Sequence, residues 1–101
     1  MKERILYFTK GPSGKKYTAH IMEKTTKKER KIHFGATGYQ QYRDSTPLGL
    51  YSKHDHGDIK RMRRYFKRHS GIGKRLAAIE FEKKKSSFRY TPKILSHIYL
   101  W

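Results

Sequence analysis

Cysteine is missing from this 101-residue chain, which excludes a disulfide framework and any thiolate metal site. Acidic residues are scarce, with 8 Asp and Glu against 25 Lys and Arg. Hydrophobic residues make up only 35% of the chain. No apolar run approaches the roughly 20 residues that a membrane-spanning helix needs, so no transmembrane segment is expected. No constellation for catalysis stands out either. The 6 histidines are scattered beside basic residues or within strand-like runs, and most carboxylates are flanked by Lys or Arg. So cationic a surface holds carboxylates ionised and histidines neutral, without the tuned environment that a general acid or base needs. Neither enzymatic activity nor a cofactor is expected.

Positive charge and aromatic rings are what the chain does have. A net charge of +17 makes it repel itself when alone and draws it toward polyanions. Nucleic acid, an anionic membrane surface and an acidic protein all qualify. The length fits one domain with a modest core. Aromatic residues, at 14%, bury large areas per side chain and partly compensate for the few aliphatics. Charged and glycine-rich periphery is expected to order only on binding.

The strongest local signal is Asp58–His69. Ile59, Met62, Phe66 and His69 recur at spacings of three and four, which predicts one apolar helical face. Lys60, Arg61, Arg63, Arg64, Lys67 and Arg68 fill the remaining circumference and are the leading candidates for contacting a polyanion, joined by Lys15 and Lys16. Asp58 suits the N-cap, and Gly71 and Gly73 stop the helix.

Before that helix, residues 1–34 read as a strand meander. Ile5–Phe8 forms an apolar run expected as a buried strand, and Gly11-Pro12-Ser13-Gly14 a turn. A phosphate-binding loop at Gly11–Lys15 is disfavoured, because Gly-x-x-Gly-Lys-Lys is two residues short and lacks the Ser or Thr that would hold magnesium. Tyr17–Met22 alternates, with Tyr17, Ala19 and Ile21 on one face, and Ile32 and Phe34 share a face in a third strand. Residues 35–57 form a turn and loop. Tyr39 and Tyr42, beside glycine turns, read first as packing anchors and second as platforms for stacked bases. Leu48, Leu50 and Tyr51 are apolar in a loop and are taken as partner contacts, as is Trp101. His54–Asp58 holds metal-ligand residue types without a second ligand pair elsewhere, so a solvated loop and helix cap is expected there, and no metal.

Residues 71–101 add two more helical patterns. Lys74–Lys85 is rich in helix formers, with Leu76 and Ile79 on one side, and Ser86–Arg89 is linker-like. Thr91-Pro92 reads as N-cap and first helical position of a closing amphipathic helix carrying Ile94, Leu95, Ile98 and Trp101. The expected class is α+β: a small antiparallel three-stranded meander packed against the basic helix 58–70 and a C-terminal amphipathic helix.

The run His33-Phe34-Gly35-Ala36-Thr37-Gly38-Tyr39-Gln40-Gln41-Tyr42, then Asp58, then Arg63-Arg64-Tyr65-Phe66-Lys67-Arg68-His69, resembles a known family. Its members are short, basic, functionally uncharacterised proteins encoded by nucleocytoplasmic large DNA viruses. In them a strand ending in Phe-Gly-Ala leads through Gly-Tyr to an Arg-rich helix ending in Arg-His. The tail Thr91–Trp101, where Leu95-Ser96 precedes Leu100-Trp101, is similar to the family's closing segment. This chain departs from the pattern by inserting Ser45–His54 and by placing the basic stretch Ile72–Tyr90 where the family has an acidic link containing tryptophan. Contacts made through those segments do not carry over.

The resemblance implies a virus-encoded protein and no established activity. The expected role is a non-enzymatic virion structural protein, a minor capsid or core component, found in the virion and in host cytoplasm during assembly. It would bridge other virion structural proteins and a polyanion, DNA or an anionic inner membrane surface. A free, sequence-nonspecific nucleic-acid-binding protein is the alternative, because no residue set suited to reading base edges is evident.

Overall fold

Three strands form the first half of a computed structural model that describes every residue, Met1–Trp101. They are β1 (Glu3–Lys10), β2 (Lys15–Glu23) and β3 (Glu29–Ala36), paired antiparallel in the order β1-β2-β3. Alternation in β2 sends Tyr17, Ala19 and Ile21 to the buried face, where they meet Phe34 and Ile32 of β3. The opposite face carries Thr18 against His33 and His20 against Lys31, with Tyr7 stacked on His20 at 4.2 Å.

The apolar run of β1 departs from expectation. It is an edge strand, and Tyr7 is exposed while Ile5, Leu6 and Phe8 are half-buried. The register shifts between Ile5 and Tyr7, so Leu6 is bulged out of the ladder. That extra residue places Ile5 opposite Ile21 and Phe8 opposite Ala19, both on the core face, although their spacing is odd.

Three helices follow: α1 (Ile59–Ser70), α2 (Arg75–Lys85) and α3 (Pro92–Tyr99). Sequence chemistry sets their ends. Asp58 accepts from the Lys60 N–H at 2.9 Å and the Arg61 N–H at 3.2 Å, and Gly71 closes α1 at φ 72°, donating to Lys67 O. Thr91 caps α3 through the Ile94 N–H at 3.1 Å, with Pro92 in the first turn. α2 has no side-chain cap. Past its end, Ser87 and Phe88 adopt positive φ, Phe88 N–H bonds Lys83 O, and Phe88 O receives the Lys2 N–H. The expected linker is thus a closed turn tied to Lys2, just before β1.

The order of packing corrects a second expectation. The basic helix does not dock across the strands. α3 lies on β3, α2 packs on α3, and α1 packs on α2. Leu95 and Leu100 join Tyr17, Ala19, Ile21, Ile32 and Phe34 in the sheet-side core. Tyr65, Phe66, Ala78 and Ile79 form the helical core, and Trp101 touches both. Each fully buried Leu, Ile or Phe in these clusters contributes about 1.5–3 kcal/mol.

Accordingly α1 buries Tyr65 and Phe66, with Met62 half-buried, while Ile59 is 51% exposed and His69 is exposed. The face is rotated from the predicted stripe because α2 and α3 pack against Tyr65 and Phe66 and leave both Ile59 and His69 outside the contact. Leu76 of α2 is likewise 74% exposed, and Ala78, Ile79 and Glu82 face inward instead.

Burying Tyr65 requires a partner for its hydroxyl. His97 Nδ1 lies 2.9 Å from Tyr65 Oη, His97 Nε2 lies 2.8 Å from Ser70 Oγ, and Ser70 donates to Glu82 Oε2 at 2.8 Å. The carboxylate at the end fixes the polarity of this chain. Glu82 accepts from Ser70, so Ser70 accepts from the Nε2–H, and Nδ1 accepts from Tyr65. One neutral, buried histidine therefore joins all three helices.

Candidate polyanion-binding cleft

α1 distributes its cations in two groups. Tyr65 and Phe66 point inward, so at 100° per residue Lys60, Arg63, Arg64 and Lys67 point away from the core, and all four are exposed. Their ammonium and guanidinium groups make no ion pair; the pairs that form are Arg30–Glu3, Arg89–Glu23 and Lys83–Glu80. Arg61 and Arg68 lie on a flank of the helix, two turns and about 10 Å apart along its axis. That flank borders a cleft of about 580 Å³.

The cleft separates α1 from the end of β3 and the turn that follows it. Phe34, Leu100, Trp101 and Tyr65 supply its apolar and aromatic lining, and Lys15, Arg61, Arg68 and Lys93 bring charge from β2, α1 and α3. No Asp or Glu side chain lines it. His69 also lines it, and loss of some hydration together with the Arg68 and Lys93 cations holds that imidazole below its ordinary pKa. Gly35 shapes this end of β3. It sits at φ +78°, and a Cβ there would lie 2.9 Å from Leu100 Cδ1, so only glycine lets the strand turn while Leu100 packs against it.

Lys16 corrects the predicted set of polyanion contacts. It is 2% exposed, and its ammonium donates to Tyr39 O at 2.7 Å and to Gln41 Oε1. Burial pushes its pKa down, and the Asp44 and Asp55 charges pull it back up. Lys16 also lines the cleft, but with its ammonium held by these two acceptors it organises the site from beneath instead of standing out as an exposed cation. Lys15, Lys60, Arg63, Arg64, Lys67 and Arg68 are exposed, and Arg61 is half-buried.

The loop above Lys16 is ordered by polar groups. Asp44, itself buried, accepts from Tyr17 Oη, from the Thr46 N–H at 3.0 Å, from Thr46 Oγ1 at 2.7 Å and from the Tyr51 N–H at 3.1 Å. Burial opposes its ionisation, but these hydrogen bonds outweigh burial and hold the carboxyl below its usual range. Asp55 accepts from Gln41 Nε2 at 2.7 Å and the Asp44 N–H at 2.8 Å. His56 Nδ1 accepts the Asp58 N–H, so the residues between His54 and Asp58 act as loop ties and helix cap. No group of three His, Asp or Glu side chains converges to hold a metal ion.

This network went unseen in sequence, although Asp44-Ser45-Thr46 carries a signal for it. An aspartate accepting from the N–H two residues on is an Asx turn. The expected partner contacts divide. Leu48 and Leu50 are exposed, at 43% and 53%. Tyr51 packs its edge on Tyr17 at 5.5 Å, and Trp101 stacks on Tyr65 at 4.2 Å and 4°. Those two rings close the core, because the small aliphatic content leaves aromatics to fill it. Tyr39 shows the reverse: one of the expected packing anchors, it is 73% exposed at the lip of the cleft. Lys93 was not singled out in sequence.

No helix is long and apolar enough to cross a membrane. Comparison with known proteins finds no protein family, curated protein or solved structure that matches this chain.

Proposed function

We propose that this protein is a non-enzymatic structural component of a large DNA virus particle, a minor capsid or core protein that lies against the genome or another polyanion and bridges its neighbours. One observation carries the polyanion half of this reading. α1 is clamped by Tyr65 and Phe66 on one side and turns Lys60, Arg63, Arg64 and Lys67 outward with no carboxylate paired to them. A rigid cationic ridge of this kind neutralises phosphates without reading sequence. The viral half rests on the Phe-Gly-Ala, Gly-Tyr and Arg-His pattern of residues 33–69 and the Leu-Trp tail. Leu48 and Leu50 remain open to a neighbouring protein.

Mass spectrometry of gradient-purified particles tests the structural role. The chain should appear at fixed stoichiometry, and its absence would remove the reading. In solution, affinity for generic duplex DNA should fall linearly on a log–log plot against salt. Arg63→Ala with Arg64→Ala and Lys67→Ala should flatten that slope by about 2.7, or about 0.9 for each phosphate no longer neutralised. An unchanged slope would place the duplex-binding surface elsewhere. The same ridge supports the second reading, a free nucleic-acid-binding protein, and the particle measurement separates the two.

A further inference from the structure

We propose that the cleft between β3 and α1 is a binding site for single-stranded nucleic acid, in which Arg61, Arg68 and Lys93 hold phosphates and Tyr39 stacks on an unpaired base. This rests on the polyanion reading above and assigns it a second, distinct surface.

Charge selects the ligand's sign. Cations from three separate elements converge on one concavity that no Asp or Glu lines. Like charges gathered in this way repel one another until an anion enters. Their partners are few. Arg61 Nη1 donates to Gln40 Oε1 at 2.9 Å and Lys93 Nζ to His69 O at 3.2 Å, which leaves donors on both groups free. These two bonds also hold each cation at the rim.

The ring selects the ligand's second feature. Tyr39 is 73% exposed, yet its backbone is pinned by the buried Lys16 ammonium at 2.7 Å and by its own N–H to Ala36 O at 3.3 Å. The neighbouring Gln40 is tied to α1 through Arg61. The aromatic face is therefore presented from a fixed turn, and stacking on it requires little further ordering. Beside it lie phosphate-binding groups, the combination that single-strand sites use.

Size excludes the duplex from this site. A cleft of about 580 Å³ is the volume of a small-ligand pocket, enough for nucleotide units. A duplex keeps its bases stacked inside and offers a surface ring nothing to stack on unless a base is extruded. Duplex contacts fall to the outward ridge of α1. An acidic peptide would satisfy the cations but leave Tyr39 unused.

Fluorescence anisotropy on the full chain decides this, with three probes: a short oligo(dT), an abasic oligomer of equal length and a blunt duplex. Oligo(dT) should bind more tightly than the abasic strand. Tyr39→Ala should weaken oligo(dT) binding by roughly 10- to 100-fold, the loss of one stacked base, and change duplex binding by less than about twofold. Tyr39→Phe should retain the wild-type affinity. Arg61→Ala with Arg68→Ala should flatten the oligo(dT) salt slope by about 1.4. Equal affinity for oligo(dT) and the abasic strand overturns the site, and so does indifference to Tyr39→Ala. If the wild-type chain binds duplex but fails these comparisons, the cleft alone is refuted; if it binds none of the probes, the polyanion reading falls with it.

Discussion

Asp44→Ala is expected to lower the stability of the domain by about 3–5 kcal/mol, the range for removing one partner from a buried charged network. The carboxylate accepts from two backbone N–H groups and two hydroxyls, and it lies near the buried Lys16 ammonium. Truncation leaves those donors facing apolar surroundings, at about 1–3 kcal/mol for each one that water does not reach. Lys16 then keeps a buried charge with less to balance it. Tyr17→Phe is expected to be milder, because it removes one hydroxyl that donates to Asp44 and accepts the Leu50 N–H at 2.8 Å. Urea titration of both variants ranks the effects. Hydrogen exchange at Leu50 and Tyr51 locates them. If Asp44→Ala unfolds within about 1 kcal/mol of the parent, the loop is held by something other than this carboxylate.

Acid is expected to remove up to about 3 kcal/mol of stability between pH 6.5 and pH 4, through His97. Burial holds the native imidazole down to about 4 from its ordinary 6.5, while Glu82 pulls it up and the His69, Lys93 and Arg75 charges push it further down. In the unfolded chain the same ring takes up a proton near pH 6.5. Below that pH the unfolded state binds a proton that the native state refuses, so falling pH favours unfolding. The contribution is complete above pH 6.5 and fully lost near pH 4, at about 1.4 kcal/mol for each pH unit of displaced titration. His69 and His56 are also held below their ordinary value and act in the same direction. The lowered carboxyls of Glu3 and Asp44 act at more acid pH. Urea midpoints measured from pH 7 down to 4.5 should therefore decline, and His97→Gln should flatten the decline. A profile that is level in the parent, or as steep in the variant, would sink this assignment.

The legible parts of this fold are those whose causes are local. Asp58, Gly71, Thr91 and Pro92 announce helix ends within one turn of themselves, and the structure places all of them there. Alternation in Tyr17–Ile21 reports a sheet face directly, as does the pair Ile32 and Phe34. The rotation of α1 was not legible. Hydropathy ranks Ile59 above Tyr65, but Tyr65 is buried because a histidine 32 residues away accepts its hydroxyl. Lys16 reads as one more surface cation beside Lys15 for a similar reason. Its hydrogen-bond partners come from Tyr39 and Gln41, 23 and 25 residues later. The bulge at Leu6 is a third case, since only the pairing of β1 with β2 decides which residue is extra. Of the cleft, the α1 cations were visible as a set, but their division into an outward ridge and a flank bordering the cleft follows from where α2 and α3 sit.

Trp101 and α3 join the two clusters of the core, and that arrangement bears on how the chain acquires its structure. The sheet finds its apolar cover in Leu95 and Leu100, more than sixty residues beyond the strand residues Phe34 and Ile32 that they bury. Tyr90 N–H reaches Glu3 Oε1 across 87 residues. During synthesis the three strands therefore emerge from the ribosome with one face uncovered, and α1 and α2 emerge without the histidine that links them to α3. Contacts of such long sequence separation cost loop-closure entropy before they return any stability, and they slow folding. Both clusters lack the side chains of α3 and Trp101 until residues 92–101 have been added. Until then a strongly basic, half-covered nascent chain exposes its sheet to whatever binds it first.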